Sequence, residues 1–113
     1  NMDKRIPETI LPEGYNGKII LALISGAGME ERIVLRSGDD WHREILRNTK
    51  AEIKRYGIAD AQVDELGGAW INFDENGKIV IFGSSDDFGA CDKTVAAEFV
   101  RRLYPDRTVR VAD

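Results

Sequence analysis

Hydrophobic and polar positions alternate along this chain with two different periods, and the periods divide it into strands and helices. "KIILALIS", residues 18–25, is an unbroken apolar run bounded by Gly17 and Gly26, the pattern of a strand covered on both faces. "EERIVLR" follows after a short glycine-containing turn and is predicted to be its antiparallel neighbour. Further on, "AWINF" and "KIVIFG" flank "DENG", and the Asn76-Gly77 pair predicts a hairpin. "TVRVAD" alternates as a short last strand. Between these lie two stretches with helical period. From a start near Asp40, Trp41, Ile45, Leu46, Thr49, Ile53 and Tyr56 fall on one side, while Arg43, Glu44, Arg47, Asn48, Lys50, Lys54 and Arg55 fall on the other. In "DKTVAAEFVRRLYP", Asp92 is the expected N-cap, Val95, Phe99 and Leu103 form an apolar stripe, and Pro105 is the stop. The first sixteen residues, with Pro7, Pro12 and Gly14, read as an extended leader.

The order strand, strand, helix, strands, helix, strand predicts an α/β fold. We expect a single domain over 1–113, with a mixed β-sheet of about five to six strands sandwiched between two helices. A chain of 113 residues has room for one core and little more. Charged residues make up 32% and apolar residues 42%, and no apolar stretch approaches the roughly 18 residues of a membrane span, so no membrane partner is expected. No export signal is visible and Cys91 is the only cysteine, which together make a cytoplasmic location the expectation. Net charge is −4 with the lysines and arginines scattered, so nucleic acid is not an expected partner.

One residue breaks the helical pattern. His42, the only histidine, projects into the apolar arc of the first helix while standing in its first turn. It is either a structural histidine bonded to a nearby carbonyl, or an imidazole placed beside the free amides of a helix start, a natural anion site where it would act on bound phosphate. Ser37, Asp39 and Asp40 are all competent caps for that helix.

Scattered motifs in a shared order carry a resemblance. Ile6-Pro7, Lys18 followed by an aliphatic strand, Trp41-His42 entering a helix, Gly57, "LGG" at 66–68, the G-x-S-x-x-aromatic-G loop at 83–89 and "YPD" at 104–106 are similar to the Janus/ocnus family, of which the protein-histidine phosphatase is the best-known type. The resemblance covers nearly the whole chain. It implies one mixed sheet between two helices and a metal-independent phosphohydrolase that cleaves the P–N bond of phosphohistidine or a related phosphoramidate, with no cofactor and no metal ligands. His42 would be the catalytic general base or nucleophile, and Lys18, Ser85 and, less closely matched, Arg36 would bind phosphate. The substrate would be a phosphorylated protein or a small phosphoramidate. Chemically, phosphoryl transfer asks for positioning and for donors on the equatorial oxygens, which these residue types supply. Each also has an ordinary role: a strand-end lysine, a strand-end arginine, a turn-forming serine.

Three positions depart from that pattern and mark candidate specificity residues. Trp70 stands where the family has an arginine after "LGG", and Asp86 and Asp87 follow Ser85. Two like charges about 5 Å apart repel by about 3 kcal/mol at an effective dielectric of about 20, so carboxylates facing the site would oppose phosphate. They either point to water, recognise a cation beside the phosphoryl centre, or join Asp92 as oxygen ligands for Mg²⁺ or Mn²⁺. The alternative to an enzyme is a catalytically inactive phosphoprotein-binding module of the same fold. Cys91 lacks the amide-rich, arginine-containing loop of a cysteine phosphatase and reads as a packing residue.

Overall fold

The computed structural model describes residues 5–113, so the first four positions of the leader lie outside the described residues. Five strands and two helices follow in the order β1 (Gly17–Ser25), β2 (Arg32–Arg36), α1 (His42–Arg55), β3 (Gln62–Phe73), β4 (Ile79–Phe82), α2 (Lys93–Leu103) and β5 (Val109–Ala112). They form one sheet in the order β2-β1-β3-β4-β5, antiparallel except for the parallel β4–β5 pair. The α/β class and the mixed sheet are as expected from the pattern, with five strands.

The apolar run of β1 serves both faces. Ile19 and Leu21 pack with Ile71, Ile79, Ile81 and the α2 residues Ala96, Ala97, Phe99 and Val100, whereas Ile20, Ala22 and Ile24 pack with Val34 and the α1 residues Ile45 and Ile53. Successive side chains of a strand point to opposite faces, so an interior strand between two helices must be apolar throughout. The leader contributes to both layers through Leu11 and Ile6. It also lies along the outer edge of β2, with Leu35 N donating to Glu8 O at 2.9 Å and Ile10 N to Leu35 O at 3.1 Å, which covers an edge that would otherwise be open to pairing.

Several sequence expectations need correcting. β3 runs for 12 residues and includes "LGG", where the pattern marked only its last five; the register shift against β1 between Ile20 and Ala22 is a bulge that breaks the alternation. Trp41 is not on the buried side of α1. It is the extended N-cap residue (φ −128°, ψ 133°) and 54% exposed, because a helical projection does not hold before the helix begins. Leu103 closes α2 and is exposed, while Ala96, Ala97, Phe99 and Val100 are buried. Asp92 is the N-cap of α2 as expected, accepting from Thr94 N at 3.1 Å and Val95 N at 3.4 Å.

Candidate functional site

None of the expected caps of α1 bonds the helix's first amides with its side chain, and Asp40 takes part only through its backbone carbonyl. Ser37 Oγ donates to Ile10 O at 2.6 Å, Asp39 Oδ1 accepts from Trp41 N at 3.3 Å, and Asp40 O accepts from Lys18 Nζ at 2.7 Å. No side chain caps the helix, and its backbone bonding opens with Glu44 N and Ile45 N on Trp41 O. The amides of His42 and Arg43 precede that bonding and are left at the helix N-terminus, where partial positive charge favours an anion.

His42 is the first residue of α1 and is 4% exposed. Its Nε2 lies 2.9 Å from Ala69 O on β3. A carbonyl only accepts, so Nε2 carries the proton and a neutral ring keeps its lone pair on Nδ1. Nδ1 has no hydrogen-bond partner among the described residues, and His42 lines a cavity of about 250 Å³. The carbonyl bond expected of a structural histidine is present, and it engages only one of the two ring nitrogens.

The "LGG" segment makes this contact. Gly67 (φ +90°) carries the bulge in a conformation that favours glycine, and a Cβ there would lie 2.7 Å from the backbone of Ala90 and Cys91. Gly68 has a different reason: a Cβ on it would lie 2.6 Å from His42 Cδ2, 2.9 Å from His42 Nε2 and 2.9 Å from Ser85 Cβ. The imidazole and Ser85 flank the space that a side chain there would fill. Ser85 is buried, its hydroxyl accepts from Asp87 N at 3.2 Å and Phe88 N at 3.1 Å, and it keeps one proton to donate. Its ordinary role as turn former and its place beside His42 coexist.

Cross-strand register brings the lysine. Lys18 pairs with Trp70, and Trp70 with Phe82, so the three form a row on the sheet face that carries α1. Lys18 Nζ lies 4.6 Å from the ring centroid of Trp41 and 5.2 Å from that of Trp70, held between two cation-attracting surfaces. Lys18, Trp70, Asp86 and Asp87 line the same cavity as His42. So does Arg43, which is exposed, as the helical pattern placed it, and was not among the expected site residues. Its position one residue after the histidine, at the helix start, was the signal that could have found it.

Arg36 is not brought to this group. It is 3% exposed and forks onto Glu52, with Nε 2.7 Å from Oε1 and Nη2 2.9 Å from Oε2, while Nη1 and Nη2 also donate to Leu35 O at 2.9 Å and Pro7 O at 2.9 Å. Those bonds tie β2 to α1 and the leader. Asp92 spends its carboxylate on the α2 cap, and no group of three or more His, Cys, Asp or Glu able to hold a metal occurs among the described residues. Cys91 is buried in the α2 layer, and burial raises its thiol above the ordinary range.

The sequence profile described as the Janus/Ocnus family matches residues 4–108. The chain belongs to the Janus/Ocnus family. No curated protein matches it. In this Janus/Ocnus domain the matched segment contains both helices and the first four strands, and so every residue of the cavity beside His42. Among the described residues, no helix is long and apolar enough to cross a membrane.

Proposed function

We propose that this Janus/Ocnus protein is a metal-independent phosphohydrolase that cleaves a P–N bond, in phosphohistidine on a protein or in a related phosphoramidate, with His42 as the catalytic residue. The observation that carries the reading is the His42–Ala69 hydrogen bond, which fixes the proton on Nε2 and leaves Nδ1 as the lone pair at a cavity shared with Lys18 and Arg43. In the general-base form, Nδ1 takes a proton from water as the water oxygen bonds to phosphorus. The P–N bond breaks, the leaving nitrogen receives that proton, and orthophosphate departs. In the nucleophile form, Nδ1 bonds to phosphorus as the substrate P–N bond breaks and the leaving nitrogen takes a proton from water; a second water then bonds to phosphorus, the Nδ1–P bond breaks, and orthophosphate departs with the Nδ1 lone pair restored. Lys18, Arg43, the amides at the start of α1 and the Ser85 proton are the groups suited to the phosphoryl oxygens.

A second reading, a non-catalytic module that binds phosphorylated or cationic partners, draws on two features. Lys18 already has Asp40 O and two indole rings as partners, and two carboxylates line the cavity. Turnover separates the readings. Phosphate release from a phosphohistidine protein should be retained in EDTA and lost in His42→Gln, whose amide can still donate to a carbonyl but offers no base. Binding without turnover by the wild type would favour the module, and turnover abolished by EDTA would overturn metal independence.

A further inference from the structure

The cavity beside His42 is lined by charges of both signs. Lys18 and Arg43 approach it from β1 and α1, and Asp86 and Asp87 from the loop after β4. With a neutral imidazole the formal charges cancel, two against two. A site whose whole ligand were a phosphoryl dianion would gain nothing from the carboxylates and lose attraction to them.

Three other loop aspartates of the chain use a carboxylate oxygen locally. Asp74 Oδ1 accepts from Asn76 N and Lys78 N, Asp39 Oδ1 from Trp41 N, and Asp92 Oδ1 from Thr94 N; each makes its own turn or cap. Asp86 and Asp87, both exposed, have no hydrogen bond or ion pair to their carboxylates among the described residues, a trait they share with Asp40, Asp60 and Asp106; what sets them apart is that they line the cavity beside His42. In their loop the amides of Asp87 and Phe88 are bonded by Ser85 instead, so the turn stands without them. The second observation is His42, which is 4% exposed and lines the same cavity; its Nε2 is bonded to Ala69 O, and its Nδ1 has no hydrogen-bond partner among the described residues. Ser85 and His42 flank one methyl-sized gap at Gly68, and Asp86 is the next residue along, about 3.8 Å of chain away.

We infer that the cavity takes a ligand of both signs: a phosphorylated side chain at Lys18, Arg43 and His42, and a basic side chain next to it in the substrate, held by Asp86 and Asp87. The inference rests on the phosphoryl role proposed for this site and adds the substrate class, a phosphohistidine segment with an adjacent arginine or lysine.

The test compares two phosphohistidine peptides that differ only in an arginine or an alanine beside the phosphorylated residue. Wild-type protein should prefer the arginine peptide by about fivefold in kcat/KM, carried by KM, as an ion pair in a partly open site supplies. The variant Asp86→Asn with Asp87→Asn should lose on the arginine peptide, gain on the alanine peptide, and bring the ratio near one. Equal kcat/KM for the two peptides in the wild type, or a preference that survives in the double variant, would overturn the inference. If neither peptide is turned over, affinity for the same pair built on a stable phosphoryl-triazole analogue of phosphohistidine decides. An arginine preference lost in the double variant would then support ligand recognition while the hydrolase reading fails, and equal affinities would sink both.

Discussion

The imidazole of His42 and the carbonyl of Ala69 meet at 2.9 Å across α1 and β3, and the contact exists because Gly68, the residue before Ala69, has no side chain to occupy the gap. A bulged strand, a helix start and a serine loop converge on that point.

Gly68→Ala should displace the imidazole, since its Cβ would press on His42 and on Ser85, both buried. We expect a loss of about 1–3 kcal/mol in denaturant unfolding, the usual cost of overpacking, with a larger fractional fall in phosphohistidine turnover than in folded protein. Gly67→Ala should be worse for stability, because it adds a backbone clash at 2.7 Å to a φ of +90°. Equal stability losses from the two substitutions would show that the bulge relaxes.

Arg36→Met should destabilise the fold by about 3–5 kcal/mol, the cost of leaving a buried partner, here Glu52, without its counter-ion. Pairing it with Glu52→Leu should recover most of the loss. The effect should appear in urea midpoints, with KM of the folded fraction unchanged; a raised KM at unchanged stability would return Arg36 to phosphate binding.

Cys91 should be inert to thiol reagents in the native state at neutral pH. Burial raises its pKa, which keeps the sulfur protonated, and the thiol is the poor nucleophile. Reaction with Ellman's reagent should be slow in buffer and complete in denaturant, and Cys91→Ala should keep turnover. Rapid labelling of native protein would contradict this.

Asp92 gives a pH signature. The Thr94 hydroxyl bond, followed by the Val95 amide, lowers its pKa from 3.8, so its contribution is present above that value and fades as pH falls through the lower folded value. Asp92→Ala should therefore lower Tm at pH 7, and the gap from wild type should narrow on acidification below about pH 4. A gap constant down to pH 2 would mean that the cap acts without its charge.

Much of this protein was legible in one dimension. The unbroken run of β1, the Asn76-Gly77 turn and the Asp92 cap are local signals, and local signals carry strand burial, hairpin closure and helix start because each depends on neighbours within a few residues. His42 stood out as the exception to its helix's pattern, and the serine loop and "LGG" as spaced motifs, so the main pieces of the candidate site were visible too.

What only the tertiary structure decided is which residues meet. Arg36 and Arg43 look alike as charges on the chain, yet the register of β2 against β1 buries Arg36 on Glu52 while the helix start sends Arg43 to the cavity. Gly68 reads as one of two adjacent glycines until the sheet sets it between His42 and Ser85. Trp41 follows a helical pattern that begins one residue after it. Hydrophobic period determines which face of an element is buried; contacts between elements depend on bulges, register and caps, whose partners lie tens of residues away and leave no mark on the local pattern.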